Sequence, residues 1–114
     1  MLVIWRSPMR VLLDECVPKQ LRPELSPNVV RTVAEMGWSG IKNGQLLQKA
    51  GLEFDCFLTV DRNLQFQQRV DALPLAVLVI HARDNRVETL RALMPTVREA
   101  LATIGARELK VVGS

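Results

Sequence analysis

Three short apolar runs, each ending abruptly in polar residues, constrain most strongly what this chain can fold into. They cover residues 11–14, 56–60 and 75–80, and the residues at or just after their ends are Asp14, Asp61 and His81. Continuous apolar runs of this length are typical of strands that are buried on both faces of a parallel sheet. Helical patterns separate the runs, so the sequence predicts βαβ units and an α/β fold.

Further elements are predicted before the second apolar run. Pro18 suits the first turn of a helix that carries Leu21 and Leu25, and Pro23 shortens or bends this helix. Residues 28–33 alternate enough to form a second strand. Residues 42–51 predict a short helix with Asn43 as its N-cap and Gly51 as its stop.

The second half of the chain predicts two more helices and an edge strand. A short helix is expected within residues 64–73. Asn85 and Glu88 form a capping-box pattern that opens the longest helix, which Pro95 interrupts. Residues 108–112 favour a last strand at the edge of the sheet.

Length and composition exclude several classes of protein. The chain has 114 residues, 48% of them hydrophobic, which predicts one domain over residues 9–114 behind an N-terminal extension over residues 1–8. No apolar run approaches the roughly 20 residues of a membrane helix, so no membrane partner is expected. Two cysteines without metal-like spacing favour reduced thiols and a cytoplasmic protein.

Polar clusters follow the three apolar runs. They are Asp14-Glu15, Asp61-Arg62-Asn63 and the run from His81 to Arg86, which includes Asp84. Because the carboxyl ends of parallel strands meet at one edge of a sheet, we expect these clusters to lie close together. Carboxylates crowded in this way need a cation, and Mg²⁺ suits oxygen ligands of this kind. Such an ion polarises a phosphodiester and activates its attacking water.

A structural role is the alternative for these residues. Asp and Asn directly after a strand often bond to their own backbone, in turns or at the start of the next helix. Arg62, Arg83 and Arg86 flank the acids and are placed either to hold phosphates or to pair with neighbouring carboxylates. Asn63 is placed either to orient a water or to form a turn.

Four blocks of sequence resemble a group of small bacterial PIN-like proteins. The blocks are Leu12-Leu-Asp-Glu-Cys-Val-Pro18, Trp38-Ser-Gly-Ile-Lys-Asn-Gly-Gln-Leu-Leu47, Leu58-Thr-Val-Asp-Arg-Asn-Leu64 and Val77-Leu-Val-Ile-His-Ala-Arg-Asp-Asn-Arg86. The resemblance covers nearly the whole chain after Met9. It implies a three-layer α/β/α sandwich around a mainly parallel sheet of about four to five strands. It also implies a site related to metal-dependent ribonucleases, in proteins that act as toxins of toxin–antitoxin pairs.

The resemblance assigns roles to individual residues. Asp14 and Asp61 match the acids after the first and third strands. The position of Asp84 after the fourth strand makes it a further candidate acid for Mg²⁺ or Mn²⁺, and the capping pattern at Asn85 is a structural alternative for the same segment. Glu15, Asn43, Gln45 and Asn63 are the expected supporting residues, with the alternative for Glu15 that strand alternation directs it away from this edge. Gln45 stands where the family usually places an acid, which removes one negative charge from the ion's surroundings.

Two hypotheses about function follow. The first is a metal-dependent endoribonuclease, the toxin of a toxin–antitoxin pair, with Arg62, Arg83 and Arg86 on the RNA and a cognate antitoxin as partner. The second, motivated by Gln45, is a PIN-like binding module with little catalysis that acts through a protein or RNA. A second copy of the chain is a further expected partner in both.

Overall fold

A parallel β-sheet with helices on both faces forms the centre of the molecule. In a computed structural model, residues 8–64 and 72–113 are described. The strands are β1 (Arg10–Leu13), β2 (Val29–Thr32), β3 (Cys56–Thr59), β4 (Ala76–His81) and β5 (Leu109–Gly113). A 3-10 helix covers Lys19–Leu25, and the α-helices are α1 (Asn43–Gly51), α2 (Val87–Arg91) and α3 (Met94–Thr103).

The strand order decides where the sheet reverses its winding. The five strands lie in the order β2-β1-β3-β4-β5, and every neighbouring pair is parallel. The chain winds from β1 to one side and then returns to place β3 on the other side. The predicted α/β class and the predicted edge strand at the end of the chain are therefore confirmed, and the layers are compatible with an α/β/α sandwich.

Each face of the sheet has its own apolar core. The 3-10 helix, α2 and α3 cover one face, which we call the α3 face, with Leu21, Leu25, Leu90, Val97 and Leu101 among its buried residues. Helix α1 covers the opposite face, the α1 face, with Leu46, Leu47, Ala50, Phe54 and Phe57 among its buried residues. Burial on both sides explains why the strand runs lack an alternating polar pattern.

Prolines make two of the helical segments differ from the predictions. The segment after Pro18 is a 3-10 helix, with Pro23 inside it, although Leu21 and Leu25 are buried as expected. The predicted longest helix is two helices, α2 and α3, because Pro95 occupies the first turn of α3 and lacks the N–H that would continue α2.

Other predictions fall partly outside the described residues. Most of the helix predicted within residues 64–73 lies there, as does the N-terminal extension apart from Pro8. Met9 is built into the sheet, because its N–H donates to Asn28 Oδ1 at 2.9 Å and its carbonyl accepts the Val29 N–H at 2.8 Å. No helix among residues 8–64 and 72–113 has the length and apolar character that crossing a membrane requires.

Two glycines of α1 provide a matched stability test. A Cβ at Gly51 would lie 2.8 Å from Pro74 Cβ and 3.0 Å from the Pro74 carbonyl oxygen, whereas a Cβ at Gly44 meets nothing within 4 Å. Gly51→Ala is expected to lower the free energy of unfolding by about 1–3 kcal/mol through overpacking. Gly44→Ala should raise it by up to about 1 kcal/mol through helix propensity. Urea denaturation measures both, and a stabilised Gly51→Ala protein would contradict this packing.

Candidate functional site

Strands β1 and β3 are neighbours, and their carboxyl ends lie at the point where the winding of the sheet reverses. Leu13 pairs with Leu58 across the two strands, and the Asp14 N–H donates to the Leu58 carbonyl at 3.0 Å. Asp14 thus follows β1 directly, and Asp61 follows β3 by two residues. In open α/β sheets, ligands bind at this position, outside the carboxyl ends of the strands. We call it the carboxyl edge.

Thr59 connects the two acidic residues. Its side chain is fully buried. Among the described residues, Thr59 is the one polar residue in the buried class. The Thr59 hydroxyl donates to Asp14 Oδ2 at 2.7 Å and accepts the Asp61 N–H at 3.0 Å. One hydroxyl therefore fixes the Asp14 carboxylate and the backbone that carries Asp61.

Thr59 is a site residue that sequence reasoning did not single out. Its signal in the sequence is a hydroxyl residue inside an apolar run, two positions before an acid. A buried hydroxyl needs a hydrogen-bond partner, so an acid on a neighbouring strand is a natural place to find one. Threonine is also a favoured strand residue, which conceals this role.

Two further donors hold Asp14. The Glu15 N–H donates to Asp14 Oδ1 at 2.8 Å, and the Cys16 thiol donates to Asp14 Oδ2 at 3.5 Å. Burial and the nearby Asp14 charge raise the pKa of the Cys16 thiol above its ordinary value of 9.0. At neutral pH the thiol is therefore protonated and serves as a donor, since the thiolate is the nucleophilic form. The Glu15 side chain is exposed.

The residues after Asp61 form a turn that reaches across to β4. The Asn63 N–H donates to Asp61 Oδ1 at 3.0 Å, which is the turn contact expected of an aspartate in this position. Arg62 is exposed, and one of its guanidinium N–H groups donates to the Ala82 carbonyl at 2.9 Å. The Arg62 partner is a neutral carbonyl, so this contact leaves the positive charge of Arg62 uncompensated.

The first turn of α1 belongs to the same edge of the sheet. Leu12 and Phe57 are buried on the α1 face, so strand alternation directs Asp14 and Thr59, two residues later, to that face as well. Because α1 follows a parallel strand and precedes the next, its first turn starts at the carboxyl edge. The predicted N-cap at Asn43 is wrong: Lys42 is the N-cap, and it makes no side-chain capping bond.

Gln45 is exposed in that first turn of α1. With Gly44, Gln48 and Lys49 it lines an open cavity of about 600 Å³. The amide of Gln45 therefore occupies a solvent-facing position at the start of a helix, where a carboxylate would be stabilised by the helix dipole.

The residues after β4 make local contacts. Asp84 Oδ1 accepts the Arg86 N–H at 3.0 Å, and the pKa of Asp84 is lowered chiefly by a hydrogen bond from the Thr89 side chain. Arg83 Nε lies 3.6 Å from Asp84 Oδ2, and Arg86 Nε lies 3.7 Å from Glu88 Oε1. These are exposed pairs of the kind that contribute little to stability.

The capping box predicted for Asn85 and Glu88 does not form. The N-cap of α2 is Arg86, without a side-chain capping bond. Asn85 Nδ2 instead donates to the Cys16 carbonyl at 3.2 Å. Asn85 therefore joins the loop after β4 to the loop after β1, a contact between distant positions that a local pattern does not reveal.

Thr59 links the Asp14 carboxylate to the Asp61 backbone, and no larger acidic group forms among the described residues. Within residues 8–64 and 72–113, no three His, Cys, Asp or Glu side chains converge in a way that would hold a metal ion. His81 ends β4, and its Nε2 is buried with no hydrogen-bond partner among the described residues. Asp14 and Asp61 are consequently the two strand-end acids that are linked through the Thr59 hydroxyl.

Comparisons with known proteins give no assignment. No family model matches the chain, and neither a curated protein nor a solved structure matches it significantly.

Replacement of the Thr59 hydroxyl tests its place in the site. Thr59→Val keeps the shape but leaves the Asp61 N–H without its acceptor and removes the shortest of the three hydrogen bonds to Asp14, so the free energy of unfolding should fall by about 1–3 kcal/mol. Thr59→Ser keeps the hydroxyl and loses one methyl group, so it should cost less. Urea denaturation measures both variants. A valine variant as stable as the parent would contradict the bridging role of the hydroxyl.

Proposed function

We propose that the protein is a PIN-like, metal-dependent endoribonuclease and the toxin component of a toxin–antitoxin pair. The observation that carries the proposal is the pair Asp14 and Asp61, linked through the Thr59 hydroxyl at the carboxyl edge. The four sequence blocks that resemble PIN-like proteins support the reaction class. The antitoxin, the RNA substrate and a cytoplasmic location are parts of the same proposal.

The donor set fits a hard divalent cation. Mg²⁺ is usually held by one or two carboxylates and keeps several waters, so Asp14 and Asp61 are a sufficient set of charged ligands for Mg²⁺ or Mn²⁺. Such an ion supplies charge stabilisation and an acidified water for phosphodiester hydrolysis. Asp84 bonds to the start of α2, and the proposal therefore rests on Asp14 and Asp61.

The surrounding residues orient these acids and bind the substrate. Three donors, from Thr59, Glu15 and Cys16, fix the Asp14 carboxylate in one orientation before any ligand arrives. Preorganised groups of this kind need no rearrangement during the reaction. Arg62 is the arginine best placed for a phosphate, since its partner is a carbonyl, whereas Arg83 and Arg86 lie beside acids.

Gln45 favours a second candidate function. An amide in the first turn of α1 supplies an oxygen but no negative charge, and charge count governs much of the affinity for a divalent ion. The alternative is a PIN-like binding module with weak or no catalysis, which acts on a protein or RNA partner.

Mn²⁺ binding and RNA cleavage test the nuclease proposal with a matched pair of aspartates. Asp61 follows β3, whereas Asp55 precedes the same strand and accepts the Arg10 N–H at 2.8 Å through Oδ2. Asp61→Asn should weaken Mn²⁺ binding in calorimetry by about tenfold or more, because one of two charged ligands is lost. Asp55→Asn should bind like the parent.

Cleavage of single-stranded RNA should follow the same pattern. It should require Mg²⁺ or Mn²⁺, and Asp14→Ala and Asp61→Asn should abolish it while Asp55→Asn retains it. Equal Mn²⁺ binding by the two asparagine variants would contradict the placement of the ion, and cleavage retained in Asp14→Ala would contradict the nuclease proposal.

Restoring an acid at Gln45 distinguishes a weakened nuclease from a binding module. Gln45→Glu should tighten Mn²⁺ binding by roughly tenfold and raise the cleavage rate, because it returns a negative charge to the carboxyl edge. Gln48→Glu, one turn further along α1 in the same cavity, adds the same charge and should change both quantities less. No difference between these two variants would favour the binding module.

A further inference from the structure

A basic groove runs beside β2 at the edge of the sheet opposite β5. It lies between the 3-10 helix and β2 and has a volume of about 900 Å³. Its lining contains three cations and three apolar residues: Lys19, Arg22 and Arg31, and Pro23, Val29 and Val30. We call it the β2 groove.

Most outward hydrogen-bonding groups of β2 already have partners, and one backbone N–H is left for a ligand in this groove. The N–H groups of Val29 and Val33 donate to the carbonyls of Met9 and Leu13 at 2.8 and 3.1 Å, so the alternation of a parallel ladder turns the amides of Val30 and Thr32 outward. Glu35 Oε1 accepts the outward Thr32 N–H at 2.8 Å, and the Met36 N–H donates to the Thr32 carbonyl at 3.2 Å. Arg31 donates to the Val30 carbonyl at 3.0 Å. The Val30 N–H remains directed at the groove that Val30 lines.

The charge of the groove is strongly unbalanced. None of its lining residues is acidic. Arg22 is paired with Glu35 at 2.8 Å, and this guanidinium also lowers the pKa of the Glu35 carboxyl. For Lys19 and Arg31, no carboxylate partner is found within the described part of the chain. A ligand with alternating acidic and apolar groups complements this surface.

We propose that the β2 groove binds an acidic segment of a partner protein, in extended conformation, alongside β2. A carbonyl of an extended peptide accepts the Val30 N–H, and the alternate side chains of the peptide give specificity. Carboxylates of the segment pair with Lys19 and Arg31, and its apolar side chains contact Val29, which is 39% exposed. The proposal is independent of the catalytic one, since it uses no residue of the carboxyl edge.

Two other occupants suit the groove less well. Single-stranded RNA stacks its bases on aromatic side chains, and none of the residues that line the groove is aromatic. A second copy of the chain related by two-fold symmetry would bring the same cations against one another, which opposes association.

Fluorescence anisotropy with a labelled peptide of alternating aspartate and valine tests the proposal on the full chain. Arg31→Glu and Lys19→Glu should each weaken its binding by about tenfold. Arg107→Glu is the matched control: Arg107 is exposed before β5, at the far edge of the sheet, and the change in net charge is the same. Thermal melts confirm that each variant is folded.

The amide NMR signals of Val30 and Arg31 should shift on addition of the acidic peptide. Equal peptide binding by Arg31→Glu and Arg107→Glu would overturn the proposal. Shifts of these amides caused by an RNA oligonucleotide but not by the peptide would also overturn it, as would dimerisation through this face in the absence of peptide.

Discussion

Thr59 is a hydroxyl residue within a strand that is otherwise apolar and completely buried, and the candidate site depends on how that hydroxyl is satisfied. Burying a hydroxyl without hydrogen-bond partners costs free energy of folding. The Asp14 carboxylate, as acceptor, and the Asp61 N–H, as donor, remove this cost for Thr59. The requirement of the core thus positions the acids of the site. Stability and the proposed chemistry share one interaction.

The strand order gives this interaction its place in the molecule. Because β1 and β3 are neighbours and the chain winds away from them in opposite directions, the loops after them diverge and leave the carboxyl edge open. Asn85 then ties the loop after β4 to Cys16, which limits how far these loops separate. At the carboxyl edge, hydrogen bonds therefore hold Asp14 in the loop after β1 and Asp61 in the loop after β3.

Sequence patterns predicted the features that depend on burial and missed those that depend on long-range contacts. The three apolar runs correspond to β1, β3 and β4 because strands buried on both faces leave an unmistakable pattern. The capping box at Asn85 failed because the Asn85 side chain bonds to the distant Cys16 carbonyl, and the N-cap at Asn43 failed because α1 begins one residue earlier than predicted. The bond from Thr59 to Asp14 spans 45 residues, and no local pattern encodes it.

The net charge of +3 also conceals how charge is distributed. Two acids, Asp14 and Asp61, follow the strands at the carboxyl edge, whereas the β2 groove has three cations and no acid in its lining. Two surfaces of opposite character thus lie on neighbouring strands, which separates the proposed ion site from the proposed peptide site.

Paramagnetic broadening of amide NMR signals by Mn²⁺ locates a bound ion without relying on activity. Broadening should be greatest at Asp14 and Asp61 and in the first turn of α1 at Gly44. The amides of Arg10 and Asp55, at the opposite ends of β1 and β3, should keep their intensity. Broadening centred at that opposite end, or spread evenly over the acidic residues of the surface, would contradict an ion site built on Asp14, Thr59 and Asp61.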